Sequence, residues 1–106
     1  MASSKGYLTF ILDQLAGLNG LSYRGMMGEY ILYCRGKIFG GIYDDRLLLR
    51  PTPTLRERMP LAREEVPYAG AKPMLLADNV EDGNRLRDLV EAAWAELPPP
   101  KTKRRT

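Results

Sequence analysis

The chain has 106 residues, 44% of them apolar and 27% charged, which suits one self-supporting globular core. Its longest apolar runs are too short to cross a bilayer, so no membrane association is expected. The formal net charge of +3 belongs to one end: Lys101, Lys103, Arg104 and Arg105 lie in the last six positions, and the remaining body holds 12 basic and 13 acidic residues. The opening MASSKGYLTF lacks the basic start and apolar centre of a secretory signal, and the lone Cys34 has no internal partner. Both point to a reducing, cytoplasmic setting.

The first predicted element is a helix. Ser3 or Ser4 can cap it, and Tyr7, Leu8, Ile11, Leu12 and Leu15 recur at helical spacing until Gly17 and Leu18–Gly20 stop it. Four short strands follow, near Leu21–Met26, Tyr30–Cys34, Lys37–Tyr43 and Arg46–Arg50. Connections as short as MGE, RG and DD allow only antiparallel hairpins. Gly28, Gly36 and Asp44–Asp45 are residue types that tolerate tight turns. The pair Gly40–Gly41 inside β-rich sequence marks a bulge or a close approach by another group.

After two prolines, Thr54 and Glu57 form a capping-box pattern over a short helix, LRERM, that Pro60 closes. The segment LAREEVPYAGAKP then reads as a long irregular loop, with Tyr68 and Lys72 as candidate polar anchors of a small-ligand pocket against the sheet. Met74–Ala77 reads as a fifth strand. A last helix carries Leu86, Leu89, Val90, Ala93, Trp94 and Leu97 on one stripe, with Asn79 or Asp82 at its start. The predicted order is therefore α-β-β-β-β-α-β-α, a two-layer α+β fold: an antiparallel sheet of about five strands packed by the terminal helices. A single domain over residues 1–97 leaves a Pro-rich, basic tail over 98–106.

Catalytic chemistry finds little material. Without histidine the Ser-His-Asp and Cys-His arrangements, most zinc sites and the commonest general base at neutral pH are missing. The glycine runs do not open onto a helix, as phosphate-binding loops require. The acidic pairs Asp44–Asp45, Glu64–Glu65 and Glu81–Asp82 fall at turns, in a loop or at a helix start, where acids serve local geometry. No catalytic residue, metal site or cofactor is expected, and the chain reads as a non-enzyme.

The stretch SYRGMMGEYILYCRGKIFGGIYDDRLLLR resembles the N-terminal domain of the TfoX/Sxy family. The turn Arg24, Met26, Met27, Gly28 corresponds to an Arg-x-Met-Phe-Gly-like pattern, followed by Gly36–Lys37 and Asp45–Arg46–Leu47. MPLAREEVPY and LRDLVEAAWAELPPPK resemble the family's later segments, so the similarity covers nearly all of residues 3–100. Met27 stands where many members have Phe, and larger members continue into a helical C-terminal domain. The resemblance implies an α+β fold and a role in competence gene regulation alongside transcription machinery.

A non-enzymatic regulatory or adaptor module acting through protein contacts is thus the leading expectation, with Tyr30, Tyr33 and Arg35 as candidate protein-binding residues and homodimerisation as one outcome. The alternative is nucleic-acid binding through Lys101, Lys103, Arg104 and Arg105, helped by Arg24, Arg35 and Lys37.

Overall fold

The computed structural model describes residues 3–99. In chain order it forms α1 (Lys5–Leu15), β1 (Leu21–Met26), β2 (Glu29–Cys34), β3 (Lys37–Ile42), β4 (Leu47–Leu49), α2 (Pro53–Arg58), β5 (Glu64–Glu65), β6 (Met74–Leu76) and α3 (Gly83–Ala93), then a 3-10 turn at Trp94–Glu96. All strand pairs are antiparallel, in one sheet ordered β1-β2-β3-β4-β6-β5. The expected α+β architecture forms, with six strands instead of about five. The extra strand comes from the segment read as irregular loop, where Glu64 and Glu65 pair with Leu75 and Met74.

Three consecutive hairpins fold the sheet. Their two central residues all have positive φ: Met27 and Gly28 at 54° and 84°, Arg35 and Gly36 at 49° and 84°, Asp44 and Asp45 at 53° and 55°. That conformation matches the twist of antiparallel strands and makes each connection a two-residue turn. The serines before α1 tie two of these turns together. Ser3 Oγ donates to Glu29 Oε1 at 2.6 Å and accepts from the Asp45 N–H at 3.0 Å, while the Ser4 N–H donates to Asp45 Oδ1 at 2.8 Å. Ser4 Oγ also caps α1 by accepting the Tyr7 N–H.

One extra residue interrupts the pairing of β2 with β3. Leu32 lies opposite Gly40 but Tyr33 lies opposite Ile38, so Phe39 is bulged. Strict alternation back from buried Ile42 would turn Phe39 out and Ile38 in. The bulge reverses both, and Phe39 enters the core. Gly40 and Gly41 are required beside it. A β-carbon on Gly40 would lie 2.3 Å from the Leu48 carbonyl oxygen, and one on Gly41 would lie 2.7 Å from the Tyr30 carbonyl oxygen and 2.6 Å from the Tyr43 ring. The sequence reading of a bulge or close approach at this pair is met by both at once.

The core lies between the helices and the inner sheet face. Leu8, Ile11 and Leu15 of α1 and Leu86, Leu89, Val90 and Ala93 of α3 pack on Leu32, Phe39, Ile42 and Leu49. Burying each large aliphatic chain contributes about 1.5–3 kcal/mol. Asp82 caps α3 by accepting the Arg85 N–H. The cap of α2 differs from the sequence expectation: Thr52 accepts the Leu55 N–H, and Thr54 sits inside the first turn. There the Thr54 N–H and hydroxyl both donate to Glu96, so the orphan donor is satisfied from the C-terminal turn and not by Glu57.

Gly40→Ala is expected to destabilise the fold by about 1–3 kcal/mol in denaturant unfolding, since backbone must move to admit the methyl. The Thr54 bonds hold the Glu96 carboxyl below its usual pKa. A depressed folded pKa means the contribution is complete above the ordinary carboxylate value of about 4.3 and disappears as pH falls through the folded value. Glu96→Gln should therefore lower Tm at neutral pH, with the difference from the parent closing in acid.

Candidate functional site

The residues singled out as a protein-binding patch are divided between the two sheet faces. Tyr30 is on the inner side, half-buried against the core and edge-to-face with Tyr23 at 6.0 Å. Tyr33 is half-buried on the outer face. Simple alternation would put Arg35 beside Tyr33, but its left-handed turn conformation carries the side chain to the helical layer instead. There Arg35 bonds Glu91 Oε1 at 2.9 Å and lies 4.6 Å over the Trp94 ring. Lys37 reaches the same ring at 3.9 Å and donates to the Trp94 carbonyl, and the indole N–H donates to the Cys34 carbonyl at 2.7 Å. Arg35 and Lys37 therefore clamp the β2–β3 hairpin to the end of α3. Their partnering removes them from the free basic face that the nucleic-acid alternative drew on, while Arg24 remains exposed on β1. Lys101, Lys103, Arg104 and Arg105 lie outside the described residues.

The turn residues of the Arg24–Gly28 signal also divide their work. Met27 and Gly28 form the turn itself, with Met27 96% exposed, and the Gly28 carbonyl accepts the Ser3 N–H. Met26 points to the outer face, where it joins a cleft.

That cleft has a volume of about 660 Å³. Its floor is the outer face of β2 and β3, through Ile31 and Ile38. The segment after β5 forms the opposite wall, where Tyr68 stands against the buried Tyr43 ring at a centroid distance of 6.2 Å. Tyr43 itself fills the space over Gly41. Burial and the neighbouring Tyr68 push its phenol pKa up, so it stays a neutral donor. The cations on the lining are Arg50, Arg56 and Lys72, and no carboxylate lines it. Arg56 is bonded to Glu64 at 2.7 Å. Among the described residues Arg50 and Lys72 have no side-chain hydrogen bond or ion pair. Tyr68 and Lys72, expected from the sequence as anchors of a pocket over the sheet, both line it. Arg50 and Arg56 were missed, although Arg50 alternates with Leu48 and so could have been placed on the outer face.

At least one member of each carboxylate pair has a structural partner. Asp45 holds Ser3 and Ser4, Glu65 pairs with Arg46 at 2.6 Å, Glu64 with Arg56, and Asp82 caps α3. No group of three His, Cys, Asp or Glu side chains with metal-holding geometry occurs among the described residues. No helix among them is long and apolar enough to cross a membrane.

With this geometry in view, the TfoX N-terminal domain description matches residues 13–97. The chain belongs to the TfoX N-terminal domain family. It is also 37% identical, over 98% of its length and 91% of the relative's, to an uncharacterized 12.7 kDa protein in the trpE 5′ region of Spirochaeta aurantia. No solved structure matches significantly. The matched span of this TfoX N-terminal domain runs from the end of α1 to Leu97, so it includes the whole sheet and the Trp94 clamp.

Cys34 in this TfoX N-terminal domain is fully buried, with its thiol 3.3 Å from the Asn19 carbonyl. Burial raises its pKa, against the smaller lowering effect of Arg35. The native protein is expected to react with a water-soluble disulfide reagent only on the timescale of unfolding, and at once in denaturant. Fast stoichiometric labelling of the native chain would contradict this account.

Proposed function

We propose that this TfoX N-terminal domain is a non-enzymatic, cytoplasmic regulatory or adaptor module of competence-type transcription control, and that it engages a protein partner through the β1 edge of its sheet. The observation that carries the reading is the state of that edge. β1 is six residues long, and every residue after Leu21 is exposed. The opposite edge, β5, has only two residues.

Edges left open are usually blunted by proline, bulges or clustered charge. β1 contains no proline, pairs with β2 without a register shift, and carries Arg24 as its single charge. Because a two-residue turn closes on a hydrogen-bonded pair, Met26 with Glu29, the alternation assigns Arg24 and Ser22 to bonds with β2. Leu21, Tyr23 and Gly25 then turn their N–H and C=O groups outward, ready to pair with an extended segment of another chain. Tyr23, Met26 and Met27, exposed at 49%, 44% and 96%, supply apolar contact beside those groups.

Tyr23→Pro tests this directly, since it deletes an outward N–H while sparing the ladder to β2. Partner binding, located by cross-links from β1 in native cells, is expected to weaken about tenfold or more with circular dichroism unchanged. A dimer that dissociates in the same variant would identify the partner as a second copy. Undiminished binding in Tyr23→Pro, or cross-links confined to α1 and α3, would refute the edge reading.

A further inference from the structure

The outer-face cleft combines three features that point to one ligand chemistry. The first is size: about 660 Å³ falls within the roughly 300–1,000 Å³ typical of small-molecule sites. The second is a separated polarity. Met26, Ile31 and Ile38 offer an apolar floor, whereas Arg50 and Lys72 stand on the lining without a carboxylate beside them. The third is that neither cation is neutralised by an acid of the described residues. Arg35, Arg46, Arg56, Arg63 and Arg85 are each ion-paired to an acid. Arg50 and Lys72 are not, and they flank the same concavity.

Two cations that no acid among the described residues neutralises, both lining one cleft with an apolar floor, favour an anion placed there. A bare inorganic ion would use the cations and leave the floor wet. A neutral apolar molecule would use the floor and desolvate the cations without compensation.

We propose that this cleft binds a small amphipathic organic anion, with its carboxylate or phosphate head between Arg50 and Lys72 and its apolar body on Met26, Ile31 and Ile38. Arg guanidinium supplies a planar fork suited to either head group, and Lys supplies a mobile point charge on the loop wall. The rings of Tyr43 and Tyr68 form part of the wall. Arg56 is held by Glu64 and shapes the rim. The site is separate from the outward backbone groups of β1, although Met26 belongs to both the hairpin and the floor. Occupancy would therefore change the apolar surroundings of the β1–β2 turn, linking a small molecule to whatever the edge engages.

The test is an NMR titration of the isotope-labelled full chain with phenylbutyrate and, separately, with its neutral analogue phenylbutanol. Shift changes for the acid are expected to saturate and to centre on Ile31, Ile38, Arg50 and Lys72. The alcohol should bind about tenfold more weakly or worse, as should the acid to Arg50→Gln/Lys72→Gln and, to a smaller degree, to the exposed-loop single variant Lys72→Gln. Tyr23→Pro should bind the acid like the parent, which separates this proposal from the edge reading. Equal binding of acid and alcohol, unchanged affinity in a natively folded double variant, or shifts centred elsewhere would overturn it. Saturation of the cleft by a polyglutamate peptide without response to phenylbutyrate would also overturn it, assigning the face to an acidic protein segment.

Discussion

The Leu48 carbonyl oxygen occupies the place where residue 40 would carry a β-carbon, and the outer surface of the molecule follows from that contact. Only glycine lets β3 approach β4 this closely beside the Phe39 bulge. The bulge reverses the side-chain alternation N-terminal to it. Phe39 drops into the core, Ile38 moves to the cleft floor, and Lys37 is directed to the helical layer, where Trp94 receives it. The neighbouring Gly41 leaves a gap that the Tyr43 ring fills. One irregularity in one strand thus supplies a core residue, a cleft residue and a contact between layers.

The Trp94 cluster shows how the two layers are kept in register once the sheet has its shape. A single indole receives two cations on its ring and gives its N–H to a strand carbonyl. Both cations are attracted to the electron-rich face of the ring. Glu96, two residues on, reaches α2 and stabilises its start. The C-terminal turn is therefore bound to both the β2–β3 hairpin and α2, and the charged residues of that end of the sheet serve packing. On the other face the cleft keeps Arg50 and Lys72 without a side-chain partner among the described residues, and the β1 edge keeps its outward backbone groups.

These two remainders have different chemistry, so they ask for different ligands. An edge strand selects by hydrogen-bond geometry and accepts many sequences, which suits a module that docks on other chains. A cleft with an apolar floor and paired cations selects by shape and charge, which suits a small anion. Their meeting at the Met26–Glu29 hairpin gives a short physical route between them: a body resting on Met26 changes the packing of the strand end whose other residues face outward.

The hairpin glycines, the Asp44–Asp45 turn, the helical stripes of α1 and α3 and the α+β order were legible in the sequence because they depend on local conformational preference and on periodicity within one element. The two-residue strand β5 was hidden because Glu64 and Glu65 have little strand preference of their own and pair only because β6 lies alongside. The cap of α2 was misplaced for a similar reason, since Thr54 finds Glu96 from forty-two positions away and leaves Glu57 unused. Arg35 looked like a surface-patch residue until its turn conformation and the position of α3 were known. The sequence by itself determined the tight turns and the helical stripes, as properties of residue type and spacing. Tertiary structure alone decided which cations are spent on Trp94 and Glu91 and which are left beside the cleft, because a charge acquires its partner only when distant strands and helices are brought within a few ångströms.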